Sequence, residues 1–113
     1  MNLNDSKFLV EALVRWADTN LQSLFILNSG DLKRGLILLR QDMRAGLVRF
    51  WVQETDFQGQ RAFRQRFAED QTMEQADAYV QRELKRDQDL WVLIHECSDG
   101  NLPPILTRVQ ASL

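Results

Sequence analysis

The clearest pattern in the chain is an unbroken apolar run, Leu90 to Ile94, followed shortly by the dipeptide Asp99-Gly100. The run is too short for an ordinary helix and is rich in aromatic and β-branched residues, which indicates a strand buried on both faces. Asp-Gly is a strong hairpin signal. We therefore predict a hairpin over residues 90–110, whose return strand Pro103 and Pro104 would keep short and at a sheet edge.

A second pattern has helical spacing. Thr72 and Gln75 stand at the separation of a capping box, in which each satisfies a backbone N–H of the other. The apolar stripe that follows is Met73, Ala76, Val80 and Leu84. This predicts a helix over 72–87 with one face on the core.

The segment that precedes both of these patterns alternates between apolar and polar residues. Val48, Phe50 and Val52 share one face of an extended chain, and Asp56 and Gly59 have the spacing of a type I turn. We predict a β-hairpin that pairs 47–55 with 60–67. The alternative is a helix from residue 60, since two phenylalanines there are four apart.

The first 46 residues are more ambiguous. An apolar stripe (Leu9, Leu13, Trp16, Leu24 and Leu27) favours one helix running to about Asn28, and a competing interpretation ends it near Asn20 and makes 21–27 a strand. Asp31 can cap a second helix that ends at Gly46. Gly35 weakens that helix, and Leu36 to Leu39 could instead form a strand.

Together these elements predict an α+β fold. We expect a single domain, 1–113, with an antiparallel sheet of about four strands made of two hairpins, 47–67 and 90–110. Helix 72–87 and the N-terminal helices would pack on this sheet. A chain of 113 residues can bury a core without disulfide or metal staples.

Charge is unevenly distributed along the chain. The formal net charge is −2, but residues 31–66 carry +4 and residues 67–100 carry −6. Such asymmetry is typical of self-association or of a charged partner, and the alternative is two solvated faces of a monomer. The single cysteine, the lack of a signal-peptide pattern and the lack of a long apolar run lead us to expect a cytoplasmic protein that has no membrane partner.

The only histidine and the only cysteine, His95 and Cys97, lie two residues apart where the predicted strand that begins at Leu90 gives way to a loop. They would point to the same face and suggest a small cysteine-dependent enzyme as a minority hypothesis. Same-face neighbours on a strand are about 6–7 Å apart, which is long for a catalytic hydrogen bond. No metal-ligand spacing or phosphate-binding loop accompanies them, so we expect no metal, no cofactor and no catalysis.

The hairpin 47–67 combines arginines with aromatic residues. Its candidate binding residues for a protein partner or nucleic acid are Arg49, Trp51, Arg61, Arg64 and Arg66. Arginine beside aromatic rings on a sheet is also how single-stranded RNA is recognised, although no RNA-binding motif is present and the chain is acidic. Trp51 would be either an exposed anchor or a residue covered by the first two helices.

These observations favour a small non-catalytic protein-binding module, an adaptor, accessory or regulatory protein that associates with itself as a homodimer. Tryptophan and arginine dominate protein interfaces, and the chain has three tryptophans. Single-stranded RNA binding through the 47–67 hairpin is the first alternative, and cysteine chemistry at Cys97 and His95 is the second.

Overall fold

The computed structural model describes residues 5–111, with side chains described as far as Thr107. Its helices and strands, in chain order, are α1 (Ser6–Thr19), β1 (Ser23–Asn28), β2 (Ile37–Asp42), β3 (Leu47–Thr55), β4 (Arg61–Gln65), β5 (Gln71–Thr72), α2 (Met73–Arg86), β6 (Trp91–Glu96) and α3 (Pro104–Ala111). A short 3-10 turn, Arg44–Gly46, joins β2 to β3.

The predicted α+β class is confirmed, and the sheet is mixed rather than antiparallel. The strand order is β1-β6-β2-β3-β4, with β5 paired to the first residues of β3. The pairs β1–β6, β2–β3 and β3–β4 are antiparallel, whereas β2 and β6 run parallel. The sheet therefore has six strands, and β6 and β2 lie at its centre.

Helices cover both faces of this sheet. Leu9 and Leu13 of α1 and Leu106 of α3 form one core cluster with side chains of β2 and β6. Tyr79 and Val80 of α2 form the other cluster, on the opposite face. Strands β2 and β6 are buried on both faces, as a central parallel pair requires.

Two predicted elements are confirmed closely. The hairpin 47–67 forms as β3 and β4, with the register Trp51 opposite Gln65, and the Asp56 carboxylate accepts backbone N–H bonds across the turn. Helix α2 begins at the predicted capping box: Gln75 N–H donates to Thr72 Oγ1 at 3.1 Å, and Thr72 N–H donates to Gln75 Oε1 at 2.9 Å. The alternative helix from residue 60 is wrong.

The prediction of one helix to Asn28 is wrong, and the competing strand is present as β1. Helix α1 ends in a Schellman arrangement, in which Gln22 N–H donates to Ala17 O and Leu21 N–H donates to Asp18 O. Leu21 then takes a left-handed conformation, with φ of +56°. This turns the chain into β1, which pairs with β6.

The predicted helix over 31–46 is also wrong, because Ile37 to Asp42 form β2. Asp31 does cap backbone N–H groups, those of Lys33 and Arg34, but it caps a single turn and no helix follows. Gly35 is needed for close approach: a Cβ there would collide with the carbonyl oxygen of Asp89. Gly35 therefore marks a point where two backbone segments come close together, and not a weak point in a helix.

The predicted second hairpin, 90–110, is wrong as well. Gly100 makes the expected sharp turn, with φ of +68°, but the chain continues into α3. Pro104 is the first residue of that helix, a position where a missing N–H costs no hydrogen bond. β6 pairs with β1 and β2, so the strand predicted from 90–94 is present and its predicted partner is not.

Candidate functional site

The five predicted binding residues do not form one patch. Because side chains alternate along strands, Arg49, Trp51 and Arg61 lie on the face covered by α1 and α3. Arg64 and Arg66 lie on the face covered by α2. The structure therefore divides the predicted site between opposite sides of the sheet.

The two predicted residues of β3 are engaged inside the fold. Trp51 is half-buried, packs against the α1-side core and donates its indole N–H to Gln41 Oε1 at 2.7 Å. Trp51 is therefore not a fully exposed anchor, and the layer that covers it consists of α1 and α3 instead of the two N-terminal helices that were predicted. The Arg49 guanidinium forms a two-pronged ion pair with Asp70 at 2.9 and 3.3 Å and also donates to the carbonyl of Gly100.

The three predicted arginines of the β4 region also have intramolecular contacts. Arg61 donates to Ser6 Oγ at 3.0 Å, and Arg64 pairs with Glu54 at 2.6 Å. The Arg66 guanidinium lies 4.6 Å from the ring centroid of Phe67, a cation–π contact. These contacts hold the guanidinium groups against their own chain, so the hairpin offers little of the open basic surface that RNA stacking requires.

A cleft of about 570 Å³ opens where β6 ends. It is lined by Trp16 at the end of α1, by residues 21–23, by residues 95–99 and by residues 101–104. We call it the His95 cleft. It lies at the carboxyl end of β6.

A chain of hydrogen bonds runs from this cleft into the core. His95 is buried; its Nε2 lies 2.5 Å from Gln22 Oε1 and its Nδ1 lies 3.3 Å from Gln41 Nε2. The Gln41 amide is itself fully buried, accepts the indole N–H of Trp51 and donates to the carbonyl of Asn101 at 2.7 Å. Four side chains from four different segments of the chain form this network: those of Gln22, Gln41, Trp51 and His95.

This network determines the protonation of His95. An indole nitrogen can only donate and a carbonyl can only accept, so Trp51 and Asn101 together fix which end of the Gln41 amide faces the imidazole. Gln41 Nε2–H then donates to His95 Nδ1, which must be unprotonated, and His95 Nε2–H donates to Gln22. Burial also lowers the pKa of His95, an effect that the Asp99 carboxylate opposes.

Cys97 lines the same cleft, and its surroundings do not favour a thiolate. Burial raises the pKa of its thiol, Asp99 and Asp42 raise it further, and the N–H of Gly100 and the charge of Arg49 act in the opposite direction. A nucleophilic cysteine needs the reverse, a pKa lowered by a base or a cation. With both ring nitrogens of His95 already bonded, the arrangement gives little support to cysteine catalysis.

A second surface feature is the free edge of β1. Eight large apolar side chains are exposed among the described residues, and five of them lie in β1 or within four residues of its ends: Leu21, Phe25, Ile26, Leu27 and Leu32. Leu21 is 95 % exposed and takes the left-handed backbone that usually selects glycine. β1 pairs with β6 on one side only, so its other side is open.

Sequence reasoning missed this edge because it favoured a helix for 21–28. The competing strand interpretation contained the necessary signal, a run of apolar residues without a charge from Leu24 to Leu27. It also missed Gln22 and Gln41, which hold His95, because both lie in segments predicted to be helical.

A family model described as "Protein of unknown function (DUF1491)" matches residues 5–103, which include the His95 cleft almost entirely and all of β1. The chain belongs to the DUF1491 family. No curated protein matches the sequence. The family assignment therefore brings a fold and no activity.

Solved structures agree with this assignment. A crystal structure of a DUF1491 family protein from Caulobacter crescentus CB15 shares 28% identity, covers 86% of this chain and 91% of its own, and has a TM-score of 0.73. An NMR structure of a DUF1491 family protein from the same organism shares 28% identity over 95% and 96% of the two chains, with a TM-score of 0.78. The solution structure of protein Atu0922 from A. tumefaciens, 24% identical over 94% of each chain with a TM-score of 0.77, shares the fold.

Two further properties concern residues 5–111 alone. No helix there is long and apolar enough to cross a membrane. No group of three or more histidine, cysteine or acidic side chains is arranged to hold a metal ion in that part of the chain.

Proposed function

We propose that this DUF1491 protein is a small, non-catalytic protein-binding module that associates with a second copy of itself through the free edge of β1. The observation that carries the proposal is the concentration of exposed apolar side chains on and around that strand. Exposed apolar side chains that are gathered on one part of a protein surface are typical of interaction sites.

The two edges of the sheet differ in a way that favours β1. Edge strands are normally protected from pairing by charged residues or proline. β4, at the opposite edge, carries Arg61 and Arg64, whereas β1 has no charged residue and no proline between Ser23 and Asn28. Its only irregularity is a shift of register between Ile26 and Asn28.

A second copy of the chain suits the uncharged edge. Antiparallel pairing of β1 with the β1 of another copy is two-fold symmetric, brings apolar residues opposite apolar residues and places no like charges in contact. It also closes after two copies, so it does not propagate into a filament. Pairing through β4 would instead bring arginine close to arginine.

The expected affinity is modest. Phe25, Ile26 and Leu27 are already about half covered, so each would contribute only part of the roughly 1.5–3 kcal/mol of a fully buried side chain. Association costs at least about 4 kcal/mol in lost freedom of motion. Six such side chains, three from each copy, would contribute about 4.5–9 kcal/mol, so the net gain is at most about 5 kcal/mol. We therefore expect a reversible dimer with Kd on the order of 1 mM.

Sedimentation over a concentration series tests the proposal with a matched pair of variants. Phe25→Lys places a charge on β1, and Phe57→Lys makes the same change at an exposed phenylalanine in the β3–β4 turn. Phe25→Lys should raise Kd at least tenfold and Phe57→Lys should leave it unchanged. A chain that stays monomeric at millimolar concentration, or a dimer equally sensitive to both changes, would rule the proposal out.

A further inference from the structure

We infer that the His95 cleft binds an organic cation, a guanidinium or primary ammonium group carried on a short carbon chain. The cleft is formed within one chain, and it shares Leu21 and Ser23 with the region of the β1 edge. We base the inference on the combination of charge, apolar wall and volume in one concave site.

The charge of the cleft is negative. Its lining residues include two carboxylates, Glu96 and Asp99, and no lysine or arginine. The cation that influences this loop is Arg49, and its charge is offset by the two-pronged pair with Asp70. A positively charged ligand would therefore meet uncompensated negative charge.

The other titratable groups of the cleft add no positive charge. The orientation of Gln41 holds the imidazole of His95 in its neutral form, as described above. Burial and the nearby acidic groups raise the pKa of the Cys97 thiol, which favours its neutral form. The cleft thus presents two carboxyl groups among neutral polar groups.

Part of the remaining wall is apolar and suits a carbon chain. Trp16, Leu102, Pro103 and Pro104 line it together with the exposed Leu21. Arginine, lysine and simple amines join a charged head to methylene groups that pack along such surfaces. A volume of about 570 Å³ is within the range of sites for small ligands.

A metal ion fits the same cleft less well. The described residues hold no group of three metal-ligating side chains, and both nitrogens of His95 already have hydrogen-bond partners. One oxygen of Asp99 also accepts the N–H of Asn101 at 3.0 Å. What is left is a pair of carboxylates, which is a better match for an organic cation than for a divalent metal.

Titration of the whole chain with n-butylguanidinium, followed by amide NMR shifts, tests the inference. We expect saturable shifts around Gln22, Glu96 and Asn101 at millimolar concentration, weakened by salt, because exposed ion pairs are weak and screened. Pentanoate, an anion of similar length, should cause none. Acetyl-Gly-Arg-Gly-amide distinguishes a protein side chain from a free amine as the natural source, since tighter binding of the peptide indicates the former.

Variants that remove negative charge with little change of shape test whether the cleft is the binding site. Glu96→Gln combined with Asp99→Asn should weaken n-butylguanidinium at least fivefold, while Glu69→Gln combined with Glu74→Gln, which removes the same charge elsewhere, should change it less than twofold. Asn at 99 keeps an oxygen for the Asn101 N–H, so Asp99→Asn alone serves if the double variant folds poorly. Phe25→Lys should leave the affinity unchanged.

Three results would overturn the inference. These are the lack of saturable shifts up to 50 mM, equal binding of pentanoate, and equal affinity in the cleft variant and its control. Tighter binding of Ca²⁺ than of n-butylguanidinium at the same amides would overturn it as well. None of these outcomes bears on whether β1 pairs with a second copy.

Discussion

Replacing Gln41 by methionine removes the centre of the buried polar network without a large change of volume. The Gln41 side chain is fully buried and serves three partners: the indole N–H of Trp51, the carbonyl of Asn101 and Nδ1 of His95. Methionine can replace none of these bonds. Each partner group would then lose its bond to Gln41, the imidazole of His95 in a buried position, the indole of Trp51 in a half-buried one and the carbonyl of Asn101 near the surface.

The expected cost follows from those three groups. A buried polar group that loses its partner costs about 1–3 kcal/mol, and the low end applies because Trp51 is half-buried and Asn101 is near the surface. The sum of about 3 kcal/mol is reduced by the easier burial of a thioether. We expect the free energy of unfolding to fall by about 2 kcal/mol, which corresponds to roughly 8 °C in Tm for a chain of this size.

Urea unfolding followed by circular dichroism measures this change, with Gln81→Met as control. Gln81 is exposed on α2, so the same substitution there should change stability by less than about 0.5 kcal/mol. NMR titration gives a second readout. Because Gln41 no longer donates to Nδ1, the pKa of His95 should rise in Gln41→Met.

Either of two results would refute this reasoning. If Gln41→Met is as stable as Gln81→Met, the three hydrogen bonds are not worth what their burial implies. If stability falls but His95 titrates as in the unmodified chain, Gln41 does not fix the neutral form of the imidazole.

Three further predictions follow from the same structure. Since the pKa of His95 is lower in the folded than in the unfolded chain, its contribution to stability is present above pH about 6.5 and is lost as pH falls. Between pH 7 and pH 5 the free energy of unfolding should therefore fall less in His95→Gln than in the unmodified chain, and an equal fall would contradict the shift. Alkylation of Cys97 should have its midpoint above the free-thiol value of about 8.5, and a midpoint below it would revive the cysteine-enzyme hypothesis. The buried Arg40 guanidinium pairs with two carboxylates, so Asp42→Ala leaves a buried charge poorly compensated. In urea unfolding, Asp42→Ala should cost about 2 kcal/mol and should cost more than Arg40→Met; the opposite order would contradict this reasoning.

Two of the elements that sequence patterns predicted correctly are stabilised by neighbours in the chain. The β3–β4 hairpin closes over a short turn, and α2 carries its own capping box. In both cases the residues that decide the structure lie within a few positions of each other. Local patterns therefore contain the information.

The incorrect predictions share the opposite property. β1 and β2 both have apolar spacings compatible with a helix, and both become strands because they pair with β6, which follows β2 by about fifty residues. Leu36 O accepts the N–H of Trp91, a contact that no local pattern can signal. Tertiary pairing overrides helix periodicity here.

The candidate sites show the same limit. The pattern placed His95 and Cys97 at a strand end correctly, but the residues that fix the imidazole come from two segments assigned to helices. The arginines of the hairpin were predicted to bind a partner because the sequence does not show that carboxylates such as Asp70 and Glu54 pair with them. Availability of a charged side chain is a property of the fold.

The most direct measurement of the central claim is a search for contacts between two copies of the chain. A concentrated mixture of isotope-labelled and unlabelled protein, examined by isotope-filtered NMR, reports only distances across the dimer interface. We predict intermolecular contacts between Phe25, Ile26 and Leu27 of one copy and the same strand of the other. Intermolecular contacts confined to β4, or none at a concentration well above the measured Kd, would contradict the claim that β1 is the binding edge.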